Sequence, residues 1–478
     1  MTDTSGEIPD WGQKLAGWNA GVWRTSVGSV TMRSAITGLF LLNSTPDIDA
    51  LRDRMDRVTR WFPALRQRIV EPVGSLGQPR MVVDPGFDIT FHTSRIALPA
   101  PGTWEQLLYH ARRQSMHDLD RDRPLWRATL VEGLQGDRAA IILVVHHAIA
   151  DGQGSVMMLA GMVDWAADVP PTSDPMPPAP RAGRTDPITA TLAAVGSAAK
   201  RAGGLGIQAV RELPTSARSF VVHPRQSTSD MVRMAASAAR MLRPHRGPLS
   251  PLMTERGATY TSLTLDVPFE ALRTAAKDHG GTLNDAFLAA VTGGLRRYHE
   301  RHDSPVDRLR VNVPVSLRRE GQGATVNAVS IARIELDAGE DDVTARFTDA
   351  SEAVRRARGE PMLPWADLAA DAGRLLPVSL IAEVAKSSDV TASNVPGLPA
   401  QVWVGGAALE ALYPIVPTMG AAANITMLSY ARRRCSVGVS IDDQAVPDPH
   451  VFMECLAEGF AEVGAEPEPS PFDPLSRS

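Results

Sequence analysis

The sequence predicts an α/β protein built from two halves of similar content. Its 478 residues are enough for two or three domains, or for one large duplicated fold. An apolar content of 44% and a charged content of 22% are typical of a soluble protein with a real core. Strand and helix patterns alternate on both sides of a proline-rich stretch. We therefore expect a first half over residues 1–167, a connector over residues 168–250 and a second half over residues 251–478.

Strand and helix patterns follow one another along the first half. The apolar run "AITGLFLL" (35–42) predicts a buried strand, and "DIDALRDRMDRVTRWFPAL" (47–65) has the period of an amphipathic helix. "WRATLVEGLQGDRAAIILVVHH" (126–147) predicts two strands joined by a Gly-Asp turn. "SVMMLAGMVDWAAD" (155–168) predicts a further helix. This order is that of an α/β unit.

The second half repeats this order after a linker. "DVPPTSDPMPPAPRAGRTDP" (168–187) is rich in proline and has no periodicity, which is typical of a linker. The later pattern predicts a strand over 260–267, a helix from Pro268 to His279, a helix opened by Thr282, and strands over 308–317 and 327–336. Two α/β halves are the simplest description of both patterns.

Cysteine use and hydropathy favour a cytoplasmic protein. Cys435 and Cys455 are too few for a disulfide framework, and no Cys/His cluster has metal-ligand spacing, so we expect no bound metal. The N-terminus has early acids and no apolar core, unlike a secretory signal. The longest uncharged stretch, residues 411–431, is broken by Pro and Gly, so we expect strands and turns there rather than a membrane span.

Charge is concentrated in the connector. The net charge is −5, but residues 181–247 contain eleven Lys/Arg and three Asp/Glu, a local balance of +8. Arg233 and Arg240 are seven residues apart on one face of a predicted helix whose other face is apolar. Such a helix can lie on an anionic lipid surface or attract the phosphates of a ligand; a solvated face is the alternative. No nucleic-acid-binding fold accompanies the charge, so we expect no nucleic-acid partner.

The stretch "VVHHAIADGQG" (144–154) places ionisable side chains at the end of a buried strand. Because side chains alternate along a strand, His146 and His147 are expected to point to opposite sides. Asp151 and Gly152 would hold and close the turn that follows. An imidazole is suited to general-base work near neutral pH. One of the two histidines is therefore a candidate base; the alternative is a core histidine beside an ordinary turn.

Five stretches carry a family resemblance. "HHAIADG" (146–152) matches the HHxxxDG motif of the superfamily that includes chloramphenicol acetyltransferase, carnitine and plant BAHD acyltransferases and peptide-synthetase condensation domains. The other four resemble, in order, blocks of the bacterial wax ester synthase/diacylglycerol acyltransferase family. They are "DLDRDRPLW" (118–126), "TLNDAFLAAVTGGLRRY" (282–298), "NVPVSLR" (312–318) with the later Asn327, and the segment 392–430 that begins "ASNVPGLP". The N-terminal region, residues 11–42, departs from the family pattern.

The resemblance implies a chloramphenicol-acetyltransferase-like fold: two pseudo-symmetric α/β halves with mixed sheets and an active-site channel between them. It implies transfer of a fatty acyl group from acyl-CoA to diacylglycerol or a long-chain alcohol, forming triacylglycerol or wax ester. His147 would be the general base, with no acyl-enzyme and no permanently bound cofactor. The enzyme would be cytoplasmic, peripheral on the inner membrane or on lipid droplets.

Two alternatives stay open. A transferase of the same fold could act on a polar natural product or take its acyl group from a carrier protein, since the N-terminal region is atypical. A protein of another class could bind lipid or CoA without catalysing transfer. Turnover of lipid acceptors distinguishes the first alternative, and the effect of replacing His147 distinguishes the second.

Further residues are candidates for support of the reaction. Asn284 is in the first turn of the helix opened by Thr282, where its amide could donate to an oxyanion near the positive helix end. Asn284 and Asp285 could equally be helix-start residues that bond the backbone. The other candidates are His146, Asp151 and Gly152 as loop supports; Arg318, or else Arg319, as the ion-pair partner of Asp151; and Pro124, Leu125, Trp126, Ser393 and Asn394 as channel residues, for which packing or capping is the alternative.

Overall fold

The computed structural model describes residues 13–15, 17–72, 78–149, 158–167, 176–181, 247–316, 329–360 and 377–468. Within these residues the strands form two six-stranded sheets and one three-stranded sheet. Parallel and antiparallel pairs occur in both large sheets. The predicted α/β fold with mixed sheets is confirmed.

The sequence predictions over 35–42, 47–65 and 126–147 are confirmed among the elements before the connector. These elements are β1 (Gln13–Lys14), α1 (Gly17–Gly28), β2 (Ala35–Leu42), α2 (Ile48–Trp61), β3 (Gln67–Val70), β4 (Arg80–Val83), α3 (Ile89–His92), β5 (Thr93–Ala97), α4 (Trp104–Met116), β6 (Trp126–Leu134) and β7 (Arg138–His146). Of the helix predicted over 155–168, residues 158–162 are helical and residues 163–167 are not.

The elements after the connector follow the same alternation. They are β8 (Tyr260–Pro268), α5 (Phe269–Asp278), α6 (Leu283–Arg301), β9 (Arg308–Ser316), β10 (Val329–Asp337), α7 (Val343–Arg358), α8 (Val378–Lys386), β11 (Val390–Val395), β12 (Trp403–Val404), β13 (Ala407–Ile415), β14 (Ala423–Tyr430), β15 (Arg434–Asp442) and α9 (Pro449–Glu462). No helix among the described residues is long and apolar enough to span a membrane.

Strand β7 is buried on both faces. The first large sheet has the order β12-β13-β2-β7-β6-β5, so β7 lies between two antiparallel neighbours, β2 and β6. Ile141 and Leu143 point into one apolar cluster, and Ile142 and Val144 point into another. This continuous apolar run is what a central strand with both faces covered requires. It fixes the position of its last residue, His146.

A strand from late in the chain completes the first sheet. The second large sheet has the order β10-β9-β11-β14-β15-β8, whereas β12 and β13 pair beside β2 in the first sheet. Strand β13 is antiparallel to β2, with Tyr413 opposite Leu39. The predicted division into residues 1–167, 168–250 and 251–478 did not include this crossover. Residues 403–415 belong by sequence to the second half and by hydrogen bonding to the first sheet.

The two large sheets approach closely at the crossover strand. An added Cβ on Gly438 of β15 would lie 1.8 Å from the Pro414 carbonyl oxygen of β13. Glycine is therefore required at this position, because any side chain would meet backbone atoms. The connector between the halves is described only over 176–181 and 247–250, and the Arg60 guanidinium donates to the Pro177 carbonyl at 2.8 Å.

Candidate active site

The end of β7 places the two histidines in different surroundings. His146 is the last paired residue of β7, opposite Ala35, and it is 9% exposed. The chain then turns: the His147 amide donates to the Ser34 carbonyl at 2.8 Å, and the Ile149 amide donates to the His146 carbonyl at 3.0 Å. His147 is half-buried. The strand thus ends between the two histidines, and only the first is part of the sheet.

Both ring nitrogens of His146 have hydrogen-bond partners. The Ala148 amide donates to Nδ1 at 3.1 Å, so Nδ1 carries no proton in this arrangement. The proton of the neutral ring is then on Nε2, which lies 3.0 Å from Ser26 Oγ. Ser26 Oγ itself donates to the Trp23 carbonyl at 2.8 Å and accepts from Nε2. This hydrogen-bond network assigns the Nε2-protonated tautomer to His146.

The environment of His146 disfavours its charged form. Burial, together with the charges of His147 and Arg121, lowers the pKa of His146 to about 4. The edge of the Trp23 ring packs against the imidazole, with centroids 5.7 Å apart. His146 is therefore neutral at neutral pH, and both of its nitrogens are engaged. The assignment of the general base to His147 stays a prediction.

A small cavity adjoins this loop, lined by residues of the first half. Its volume is about 30 Å³, enough for about two water molecules. The cavity is lined by residues of α1, the start of β2, α4, the loop before β6, and His146: Trp23, Ser26, Arg33, Ser34, Ala35, Ser115, His117, Asp118, Leu119, Arg121, Leu125 and His146. Ser115 Oγ lies 2.8 Å from the Tyr260 hydroxyl of β8. Arg33 donates to the Ala258 carbonyl at 2.9 Å.

Asn284 and Asp285 have different roles at the start of α6. Thr282 is the N-cap, and its hydroxyl accepts from the Asp285 amide at 3.3 Å, while Asp285 Oδ2 accepts from the Thr282 amide at 2.8 Å. Asp285 therefore caps the helix, as the helix-start alternative expected. The Asn284 side chain is half-buried, and no described residue hydrogen-bonds to it. Its amide is at the positive end of a 19-residue helix.

The three residues predicted before β6 divide between packing and the site. Leu125 lines the cavity, and its carbonyl accepts from the His146 amide at 2.9 Å. Trp126 points away into the core, where it stacks on His92 and donates from Nε1 to the Leu65 carbonyl at 2.8 Å. The Pro124 side chain is buried. Trp126 thus has the packing role that the sequence left open.

Ser393 and Asn394 lie within strand β11. They pair with Thr426 and Met427 in the parallel ladder of β11 and β14, and both are half-buried. Seven of the residues singled out in the sequence lie outside the described residues: Asp151, Gly152, Arg233, Arg240, Arg318, Arg319 and Asn327. The expected pairing of Asp151 with Arg318 and the expected basic face therefore stay predictions.

Sequence reasoning missed Ser26 and Trp23. They lie in α1, 120 residues or more before His146 in the chain. A single serine on a helix carries no sequence signal for contact with a distant histidine.

Solved structures of other proteins share this fold. The described fold is similar to those of a solved acyltransferase and a solved condensation domain. A wax ester synthase/diacylglycerol acyltransferase from Marinobacter aquaeolei VT8 superposes with a TM-score of 0.63 at 21% identity, covering 94% of this chain and 98% of that one. The first condensation domain of the calcium-dependent antibiotic synthetase superposes with a TM-score of 0.59 at 17% identity, covering 95% and 98%.

The chain belongs to the wax ester synthase/diacylglycerol acyltransferase family. Residues 16–287 match the model of the family's catalytic domain, and residues 325–464 match the model of its C-terminal domain. A putative diacylglycerol O-acyltransferase of Mycobacterium tuberculosis (strain H37Rv) is 35% identical over 434 residues, or 90% of this chain and 88% of the relative. A second, named as a probable diacylglycerol O-acyltransferase, is 30% identical over 399 residues, or 80% of each. The predicted family is confirmed, and the protein is an acyltransferase.

Proposed function

We propose that this acyltransferase moves a fatty acyl group from acyl-CoA to the hydroxyl of diacylglycerol or of a long-chain alcohol, with His147 as general base. Membership of the family supports acyl-CoA and a lipid alcohol as the two substrates. The observation that carries the assignment of the base is the difference between the histidines. His146 has both nitrogens engaged and a pKa near 4, whereas His147 is on the loop beyond the strand.

The reaction needs one base and no covalent enzyme intermediate. His147 removes the hydroxyl proton as the acceptor oxygen attacks the thioester carbonyl, and a tetrahedral intermediate forms. The intermediate collapses with cleavage of the carbon–sulfur bond, and the protonated imidazole returns its proton to the CoA thiolate. The products are the ester and free CoA. General-base catalysis of this kind contributes about 10²–10⁴ in rate.

Asn284 is proposed as the donor to the oxyanion of the tetrahedral intermediate. Its amide has no hydrogen-bond partner among the described residues, and it lies at the N-terminus of α6. A neutral donor beside a positive helix end stabilises developing negative charge without a change in protonation. Because Asp285 caps the helix, the turn that carries Asn284 is held in place.

Peripheral attachment to a lipid surface is a separate part of the proposal. The local excess of positive charge over residues 181–247 supports it, and Arg233 and Arg240 would provide the contact with anionic headgroups. Charge reversal of both arginines to Glu is expected to reduce binding to vesicles that contain phosphatidylglycerol. Undiminished vesicle binding by this variant would contradict the proposed contact of these arginines with anionic headgroups.

The proposed reaction is tested with purified protein and three acceptor classes. Palmitoyl-CoA is offered with diacylglycerol, hexadecanol or a small polar alcohol, and ester and free CoA are both quantified. We expect turnover with at least one lipid acceptor and a fall of about 10²–10⁴ in kcat for His147→Ala. His450→Ala, a change at an exposed histidine of α9, is the matched control and should keep full activity.

Three outcomes would contradict the proposal in different ways. Turnover of the polar alcohol alone would favour a natural-product acyltransferase. Binding of palmitoyl-CoA with no ester from any acceptor would favour a protein that binds without catalysis. An unchanged rate for His147→Ala would remove His147 as the base while leaving the substrates in place.

A further inference from the structure

We propose that Ser26 is a positioning residue: it selects the tautomer of His146 and thereby fixes the loop that carries His147. The inference rests on the proposed role of His147. Ser26 belongs to α1 and His146 to β7, so their contact joins the N-terminal helix to the end of the central strand. Both residues lie within the range 16–287 that matches the model of the family's catalytic domain.

The hydrogen bond between Ser26 and His146 can have only one direction. The Ser26 hydroxyl gives its single proton to the Trp23 carbonyl at 2.8 Å, so toward His146 it can only accept. Nε2 of His146, 3.0 Å away, must therefore carry the ring proton. Nδ1 is then left with a lone pair, which accepts from the Ala148 amide at 3.1 Å.

The opposite tautomer would break the loop contact. With the proton on Nδ1, the Ala148 amide would face a second donor, and it would lose its partner. Ala148 is fully buried, so an unpaired amide there carries the whole desolvation cost. Ser26 thus acts on the loop through the chemistry of the imidazole rather than by touching the loop itself.

The loop contact matters because His147 lies between two fixed amides. Its own amide donates to the Ser34 carbonyl, and the next amide, of Ala148, donates to His146 Nδ1. The first amide is therefore held by the residue that precedes β2, and the second by the side chain that ends β7. A base that is displaced by a fraction of an ångström from its substrate loses rate, so this anchoring acts on kcat rather than on substrate affinity.

The experiment is a double-mutant cycle on kcat. In the wild-type background, Ser26→Ala removes the acceptor for Nε2, and we expect kcat to fall about tenfold with KM changed less than about twofold. Ser26→Thr keeps the hydroxyl and should restore most of the rate. Ser387→Ala is the matched control, because Ser387 makes the same kind of bond to a carbonyl three residues earlier but has no histidine partner.

The second side of the cycle uses His146→Asn. The Oδ1 atom of Asn takes the place of Nδ1 and is always an acceptor, whichever partner Ser26 offers. In this background the loop contact no longer depends on a tautomer, so Ser26→Ala is expected to have no further effect. An equal loss in both backgrounds would mean that Ser26 only supports the fold, and the inference would be wrong. His146→Gln, which keeps an Nε2 donor but no acceptor for Ala148, should lose activity even with Ser26 intact.

A direct measurement does not depend on activity. Imidazole 15N chemical shifts of His146, assigned by comparison with His146→Asn, should show the Nε2-protonated form in the wild type and a mixture of tautomers in Ser26→Ala. A wild type that carries the proton on Nδ1 would overturn the inference even if every variant were inactive. If His147→Ala is fully active, the proposed base fails, whereas the tautomer result still decides the role of Ser26.

Discussion

The Tyr413 hydroxyl donates a 2.6 Å hydrogen bond to Asp266, and the two residues lie in different sheets. Tyr413 is on the crossover strand β13, and Asp266 is on β8 at the edge of the second sheet. Asp266 also accepts from Ser436 Oγ at 3.0 Å, and Arg434 lies 3.4 Å away. Burial raises the pKa of Tyr413 well above its ordinary value, so the hydroxyl keeps its proton and remains a donor.

Removing this hydroxyl should destabilise the protein without affecting the site directly. Tyr413→Phe leaves one oxygen of a buried carboxylate short of a donor, and we expect a loss of about 1–3 kcal/mol in the free energy of unfolding. Urea unfolding measures it. Tyr109→Phe, at a tyrosine that is 53% exposed, is the control and should change stability by less than about 0.5 kcal/mol. Equal values for the two variants would mean that the bond between the sheets contributes nothing.

A methyl group at Gly438 should be poorly tolerated. Its Cβ would lie 1.8 Å from the Pro414 oxygen and 2.7 Å from the Pro414 carbon, so the two sheets would have to separate. We expect Gly438→Ala to cost about 3 kcal/mol or more, or to prevent folding. Gly21→Ala is the matched change on the α1 helix, where nothing lies within 4 Å, and it should stabilise by about 0.5–1 kcal/mol. Soluble Gly438→Ala with wild-type stability would contradict the close approach.

Asn284 and Asp285 are adjacent, yet replacing the first should affect catalysis and replacing the second should affect stability. Asn284→Ala is expected to lower kcat by about 10²–10³ with stability unchanged, because its side chain bonds no described residue. Asp285→Ala removes a capping box and should lower the free energy of unfolding by about 1–2 kcal/mol. Each variant is assayed for both kcat and urea unfolding. Loss of stability in Asn284→Ala would indicate a structural role and remove it as the oxyanion donor.

His146 should make stability depend on pH in acid. Its pKa is about 4 in the folded chain, below the ordinary value near 6.5, so between these values the unfolded chain binds a proton that the folded chain does not. The contribution of the neutral His146 to the free energy of unfolding is fully present above about pH 6.5 and is lost as pH falls toward 4. We expect the wild type to lose roughly 3 kcal/mol more than His146→Asn over this range. Parallel stability curves for the two proteins would show that His146 is ordinarily solvated.

Local patterns in the sequence predicted several of the elements. The apolar run at residues 35–42 is strand β2, and Thr282 with Asp285 forms the capping box that opens α6. These features depend on neighbouring residues, so the sequence contains what is needed to predict them. Alternation was less informative for the histidines, because β7 ends at His146 and the chain turns before His147.

Long-range partners could not be predicted in the same way. The contact of Ser26 with His146 joins residues 120 positions apart, and β13 pairs with β2 although more than half of the chain lies between them. Neither residue type nor periodicity specifies such a partner. The motif resemblance supplied the family and the candidate base, but not the support behind the loop.

The crossover strand also affects how the protein is made. During translation β2 leaves the ribosome early, whereas β13, which covers one of its edges, is synthesised only when residues 407–415 emerge. Until then, a nascent chain that already contains β2 and β7 exposes an unpaired row of amides and carbonyls on an apolar strand. Such an edge is a template for pairing with other chains. The first sheet therefore remains open to aggregation until synthesis is nearly complete.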